Sequence, residues 1–183
     1  MFYIIESQHH KLVGMLSYPG SGWGLEFTKG KRLDPNFGQG SIRVLFESDH
    51  EHLPDYFELD ETPIVSARFL DIWKSLPIDN YQVFPVTVQF PSSHLDGYYI
   101  LNIVGLVSCI DREKSELNMY KHLIMRVRKL VLDKSDICLE LFRIQEFSLA
   151  IMISERIKES LVQADLSGLL IKPAEGWNDE HRF

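Results

Sequence analysis

A chain of 183 residues, 45% hydrophobic and 25% charged, has the apolar mass to bury a full core, which excludes intrinsic disorder and fits one domain spanning residues 1–183. Its 26 acidic against 19 basic residues leave a net charge of -7; that balance argues against a general affinity for nucleic-acid phosphates, which rests on lysine and arginine displacing counterions. With no run of about 18 apolar residues and no basic-then-apolar leader, the sequence reads as cytoplasmic and soluble, without membrane contact.

Phe2 to Ile5 reads as a first strand. Between residues 14 and 41, Pro19, Gly20, Gly22, Gly24, Gly30, Pro35, Gly38 and Gly40 punctuate the chain. They predict a loop-rich N-terminal third with short strands at Gly24 to Thr28 and Ser41 to Glu47. Pro63 to Val65 is extended, and Ser66 is suited to cap a helix over about 66–76, with Phe69, Trp73 and Leu76 as its apolar stripe and Arg68, Asp71 and Lys74 toward water. Tyr81 to Phe90 alternates as a strand in which Pro85 marks an edge or a bulge. Tyr98 to Ile110 is nearly continuous apolar sequence, a central strand or a bent pair with Gly105 at the bend.

Between His122 and Asp133, strand alternation puts Arg126 and Arg128 on one face and Met125, Val127 and Lys129 on the other. Ile137 to Phe142 and Ser148 to Ile153 read as two more strands. Ser154 caps a second helix over about 154–166, with Ile157, Leu161 and Ala164 buried and Gly168 as its stop. Gly168 to Lys172 returns as a last strand, and the tail PAEGWNDEHRF reads as loose at its end. Strand clusters with two helices predict an α+β fold of mostly antiparallel sheet, without an internal repeat at a solenoid period. The chain also admits a division into an N-terminal part, 1–53, and an α+β region, 54–172.

Gly20-Ser21-Gly22-Trp23-Gly24 lacks the strand before it and the helix after it that a phosphate loop requires, so it reads as a turn. Cys109 and Cys138 each sit in an apolar run, as reduced core thiols do. His50 and His52 share a face of an extended segment, but no further ligands are identifiable, and the segment reads as a solvated loop with no metal and no cofactor. G-x-S-x-G, H-E-x-x-H and C-x-x-C are absent. The enzymatic or small-ligand alternative gathers Asp111, His122 and Arg143 as acid, base and anion clamp. Lys121, Arg126, Arg128 and Lys129, with Tyr120 alongside, form too short a basic group for a nucleic-acid surface and balance nearby acids.

The most concentrated charge lies between Asp49 and Ser66. Asp49, Glu51, Asp55, Glu58, Asp60 and Glu61 fall within thirteen residues that contain no lysine or arginine. Up to Thr62 the chain has 5 basic against 10 acidic residues, and 14 against 16 after it, so the acidity is regional. These six carboxylates are the candidate partner-binding residues, and a basic protein suits them.

The order of short segments from Pro54 to Ile171 resembles a family of bacterial polymorphic-toxin immunity proteins, the eleventh in the usual enumeration. Its elements here are Pro54-Asp55, Pro63 to Ser66, Phe84-Pro85-Val86, Tyr99 to Asn102, Cys109-Ile110-Asp111 with Lys114-Ser115, Val131-Leu132-Asp133, Leu141-Phe142-Arg143, Ile153-Ser154 and Gly168 to Ile171. The first fifty residues carry no comparable match. The resemblance implies a non-enzymatic protein that binds a cognate toxin and neutralises it by direct association, with no catalytic residue set to transfer. A homo-oligomer is compatible with the same sequence.

Overall fold

Among the residues that the computed structural model describes, 1–8, 14–17, 24–37, 42–47 and 52–180, the apolar runs form thirteen strands and two α-helices. In chain order these are β1 (Phe2–Ser7), β2 (Gly14–Ser17), a 3-10 helix (Gly24–Thr28), β3 (Arg43–Phe46), β4 (Tyr56–Leu59), β5 (Thr62–Ser66), α1 (Ala67–Lys74), β6 (Tyr81–Gln89), β7 (His94–Ile103) and β8 (Leu106–Val107). There follow β9 (Glu116–Tyr120), β10 (Leu123–Lys129), β11 (Leu141–Ile144), β12 (Phe147–Ser154), α2 (Glu155–Gln163) and β13 (Leu169–Pro173). The architecture is a sheet-rich α+β fold.

A six-stranded sheet runs β2-β3-β6-β7-β5-β4, a five-stranded sheet runs β13-β1-β12-β11-β8, and β9 and β10 form a separate hairpin. Among the described pairings, β3 with β6 and β8 with β11 are parallel and the rest antiparallel. Gly105, at φ 132, is where the continuous apolar run leaves the first sheet as β7 and enters the second as β8. The bent pair expected there is thus a crossing between sheets.

Both helices lie in the central core. Phe69, Leu70 and Trp73 of α1 and Ile157 and Leu161 of α2 pack with Tyr3 and Ile5 of β1, Tyr56 of β4 and Leu101 of β7. Phe69 stacks on Trp73 with ring centroids 5.1 Å apart. The outer face of the six-stranded sheet packs Phe27 of the 3-10 helix on Phe84. The outer face of the five-stranded sheet is covered by the β9–β10 hairpin, through Ile124 and Val127, and by Ala174 and Trp177 of the tail.

The same local unit occurs twice. In β4-β5-α1, Asp55 accepts from the Ser66 amide through its carbonyl at 2.9 Å and from the Ser66 hydroxyl through its carboxylate at 2.7 Å, and Arg68 pairs with it at 3.0 Å. In β11-β12-α2, the Glu140 carbonyl accepts from the Ser154 amide at 2.8 Å, its carboxylate accepts from the Ser154 hydroxyl at 3.2 Å, and Arg156 pairs with it. Each serine is also the N-cap, accepting from Phe69 N or Ile157 N. One acid therefore fixes the hairpin, the cap and an arginine two residues past the cap, so strand and helix leave the corner in one direction.

Several sequence expectations are corrected. Gly24–Thr28 is a 3-10 helix, not a strand. The helices are shorter than their patterns, since α1 ends at Lys74 with Ser75 as C-cap and α2 at Gln163 with Ala164 as C-cap. Gly168 is not the stop of α2. Its φ is 81, and a Cβ there would lie 2.2 Å from the Tyr56 carbonyl oxygen, so glycine serves a close approach to β4. The bulge expected near Pro85 is present: Pro85 pairs with Tyr99 of β7 just before a register shift between Val86 and Val88 of that pair, and β3 joins β6 only from Thr87. The ring thus sits where no ladder donor is required. In β10 a register shift between Ile124 and Arg126 breaks the alternation: Ile124 and Val127 both turn inward and Met125 is exposed.

The tail is tied to the body through Trp177 and Asp179, and its end, 181–183, lies outside the described residues. Trp177 is buried and donates from Nε1 to Glu6 at 3.0 Å, and Lys172 pairs with the same carboxylate at 2.7 Å. Asp179 is buried too and accepts from the Val127 amide at 3.1 Å. Trp177→Ala is expected to lower the unfolding free energy by about 3–5 kcal/mol, read as a lower urea midpoint. A loose tail would leave the midpoint where it is.

Candidate functional site

Of the acidic stretch, Asp49, His50 and Glu51 lie outside the described residues. The other four carboxylates divide by what their neighbours demand of them. Asp55 faces inward: its side chain is 12% exposed and also accepts from the Ser167 amide at 3.0 Å and the Ser167 hydroxyl at 2.9 Å. Arg68, which pairs with it, donates on to the Ala164 and Asp165 carbonyls at the end of α2, where a cation meets the negative pole of the helix. Burial alone pushes the Asp55 pKa up, but the hydrogen bonds from Ser167 and Ser66 and the charge of Arg68 outweigh it and hold the carboxyl below its ordinary value. Asp55 is therefore a joint between the two helix units. Glu58 accepts from the hydroxyl of the buried Tyr56 at 2.6 Å.

Asp60 and Glu61 occupy the tip of the hairpin. They form the two-residue turn between the paired Leu59 and Thr62, at φ 48 and φ 59. Two left-handed residues in a row suit the twist of a tight hairpin, and the position favours Asn-Gly. A Glu in that region is strained by about 1 kcal/mol, and it carries charge to the tip of an edge strand of the six-stranded sheet.

Asp111, His122 and Arg143 do not form one site. The hydrogen bond from the Lys114 ammonium at 2.7 Å holds the Asp111 carboxyl below its usual range, and the Glu113 and Lys114 amides donate to it as well. His122 is exposed in the turn of the β9–β10 hairpin. Arg143 is fully buried in β11 and donates from Nη1 to the Ser148 carbonyl at 2.7 Å. Burial pushes the Cys109 thiol up to about 12, the state of an inert core cysteine; Cys138 is exposed, contrary to the core reading. Among the described residues no group of three or more His, Cys, Asp or Glu is placed to hold a metal ion, and no helix is long and apolar enough to cross a membrane.

The basic group Lys121, Arg126, Arg128 and Lys129, which reads in sequence as a balance for nearby acids, lies on the β9–β10 hairpin together with exposed apolar side chains. The hairpin tip exposes Tyr120, Leu123 and Met125 at 61%, 54% and 53%, with Lys121 at φ 56 in the turn and its Nζ 5.5 Å from the Tyr120 ring centroid. Two clefts flank it. One, of about 640 Å³, is lined by Glu116, Asn118, Arg126, Arg128, Asp179 and Glu180; the other, of about 390 Å³, by Glu116 to Met119 and Arg128. The available signal was a pair of apolar residues, Tyr120 and Leu123, closing a two-residue polar turn.

A family model described as the Immunity protein family (Imm11) matches residues 19–175. The chain belongs to this immunity protein family. No curated protein matches it. The Imm11 match begins at residue 19, so most of the first fifty residues, where the resemblance has no comparable match, are part of it. It also takes in both acid-serine-arginine corners, the Asp60-Glu61 turn and the β9–β10 hairpin.

For an Imm11 chain built this way, Asp55→Asn is expected to cost about 1–3 kcal/mol of stability, from lost charge-assisted hydrogen bonds. The folded pKa of Asp55 lies below its unfolded value, so its contribution is complete above that unfolded value, about pH 4, and is lost as pH falls through the folded pKa. Urea titrations between pH 2.5 and 7 should show the stability difference between wild type and variant narrowing below about pH 4.

Proposed function

We propose that this protein binds a cognate toxin and neutralises it by direct association, as a non-enzymatic immunity protein of the cytoplasm. The observation that carries the reading is the match to the immunity protein family across residues 19–175. Occlusion of a partner needs complementary surface and no catalytic centre. The acidic stretch supplies a long-range component: Asp49, Glu51, Glu58, Asp60 and Glu61 give the N-terminal third a negative field that speeds encounter with a basic toxin. Asp55, taken up by Ser66, Ser167 and Arg68, is removed from that set. Co-expression tests the function directly. Cells producing the toxin encoded in the neighbouring reading frame should survive with this protein and die without it, and equal killing in both cultures would sink the reading.

The electrostatic component makes its own prediction. Asp60→Asn with Glu61→Gly places the favoured turn residues at both left-handed positions, so the double variant should be about 1 kcal/mol more stable. It should also associate more slowly with the toxin at low salt and lose part of its salt dependence, with dissociation little changed. Stopped-flow association across ionic strength reads both effects, and on-rates identical to wild type at every salt would place the contact elsewhere.

A further inference from the structure

The β9–β10 hairpin carries charge opposite to that of the chain around it. Between Glu116 and Lys129 there are four lysines and arginines, Lys121, Arg126, Arg128 and Lys129, against Glu116 alone, in a protein of net charge -7. Its inward face is spent on the core through Ile124 and Val127, yet Tyr120, Leu123 and Met125 leave more than half of their surface to solvent. An exposed apolar group rimmed by charge marks an interaction surface more often than chance does.

The two edges of the hairpin differ. The β10 edge is occupied near its base, where the Asp179 amide donates to the Val127 carbonyl and the Asp179 carboxylate accepts from the Val127 amide. β9 pairs with β10 alone among the described residues. The cleft of about 390 Å³ touches Glu116, Leu117, Asn118 and Met119 in succession. Consecutive strand residues point to opposite faces, so a hollow that meets all four follows the strand's edge. Arg128 reaches into both clefts and has no ion pair among the described residues, while Arg126 is held 3.7 Å from Asp179.

We infer that the β9 edge and outer face of this hairpin take an extended segment of the partner protein by strand addition, with Tyr120 and Leu123 as apolar anchors and Arg128 reading one carboxylate of that segment; the identity of that partner as the toxin rests on the function proposed above. Strand addition gives affinity through main-chain hydrogen bonds and selectivity through alternate side chains. A second copy of the same hairpin is disfavoured, because it would bring like charges together. A phosphate backbone is disfavoured because Arg126 is already held by Asp179 and the remaining cations form too short a basic run to track one.

The test uses the full chain and the purified toxin from the neighbouring reading frame. Arg128→Glu and Leu123→Ser, both on exposed side chains, should keep the wild-type melting temperature and weaken binding by about tenfold or more each, and hydrogen exchange should show residues 116–120 newly protected in the complex. If wild type binds but both variants match it and β9 gains no protection, the inference falls and the toxin-binding function stands. If wild type does not bind the toxin, both fall. Protection of β9 in the free protein that disappears on dilution would assign the edge to a second copy and overturn the inference.

Discussion

Two sheets that each need both faces covered share a single apolar layer, and the placement of the two helices follows from that need. α1 and α2 fill the layer with Phe69, Leu70, Trp73, Ile157 and Leu161, which leaves the outer faces to be closed by other means. The six-stranded sheet uses the 3-10 helix and its Phe27. The five-stranded sheet uses the β9–β10 hairpin and the tail. The elements with the least regular sequence are thus the ones that keep the sheets from exposing apolar surface.

That division also explains what the sequence could reveal. Ser66 and Ser154 are legible as caps because a cap is a local pattern, and the Phe69, Trp73, Leu76 stripe follows from helical period alone. Asp55 was legible as a charge but not as a joint, since its partner Ser167 lies 112 positions away. The doubling of the acid-serine-arginine corner escaped for a related reason: the spacing from acid to serine is 11 residues in one copy and 14 in the other, so no fixed period exists to detect. The burial of Trp177 rests on Glu6, 171 positions distant. Met125 misled in the opposite direction, because an extra residue in β10 flips the alternation that sequence reading assumes.

Charge is sorted by element more sharply than the net value suggests. The Asp60-Glu61 turn closes an edge hairpin of the six-stranded sheet, and the basic β9–β10 hairpin covers the five-stranded one. A net charge of -7 averages over this polarity. Among the described acids of the acidic stretch, Asp55 is an internal joint, whereas Asp60 and Glu61 lie in the turn between β4 and β5.

The position of β1 sets a schedule for biosynthesis. This strand sits between β12 and β13, with Phe2 opposite Ser154 and Ile5 opposite Ile171, and Glu6 waits for Trp177. During translation it emerges about 150 residues ahead of its neighbours, a delay of about 8–30 seconds at ordinary elongation rates. Until then its apolar residues have no sheet of their own to join. The fold can therefore close only after the far end of the chain has been made, so β1 is among the first elements synthesised and among the last to be paired on both edges.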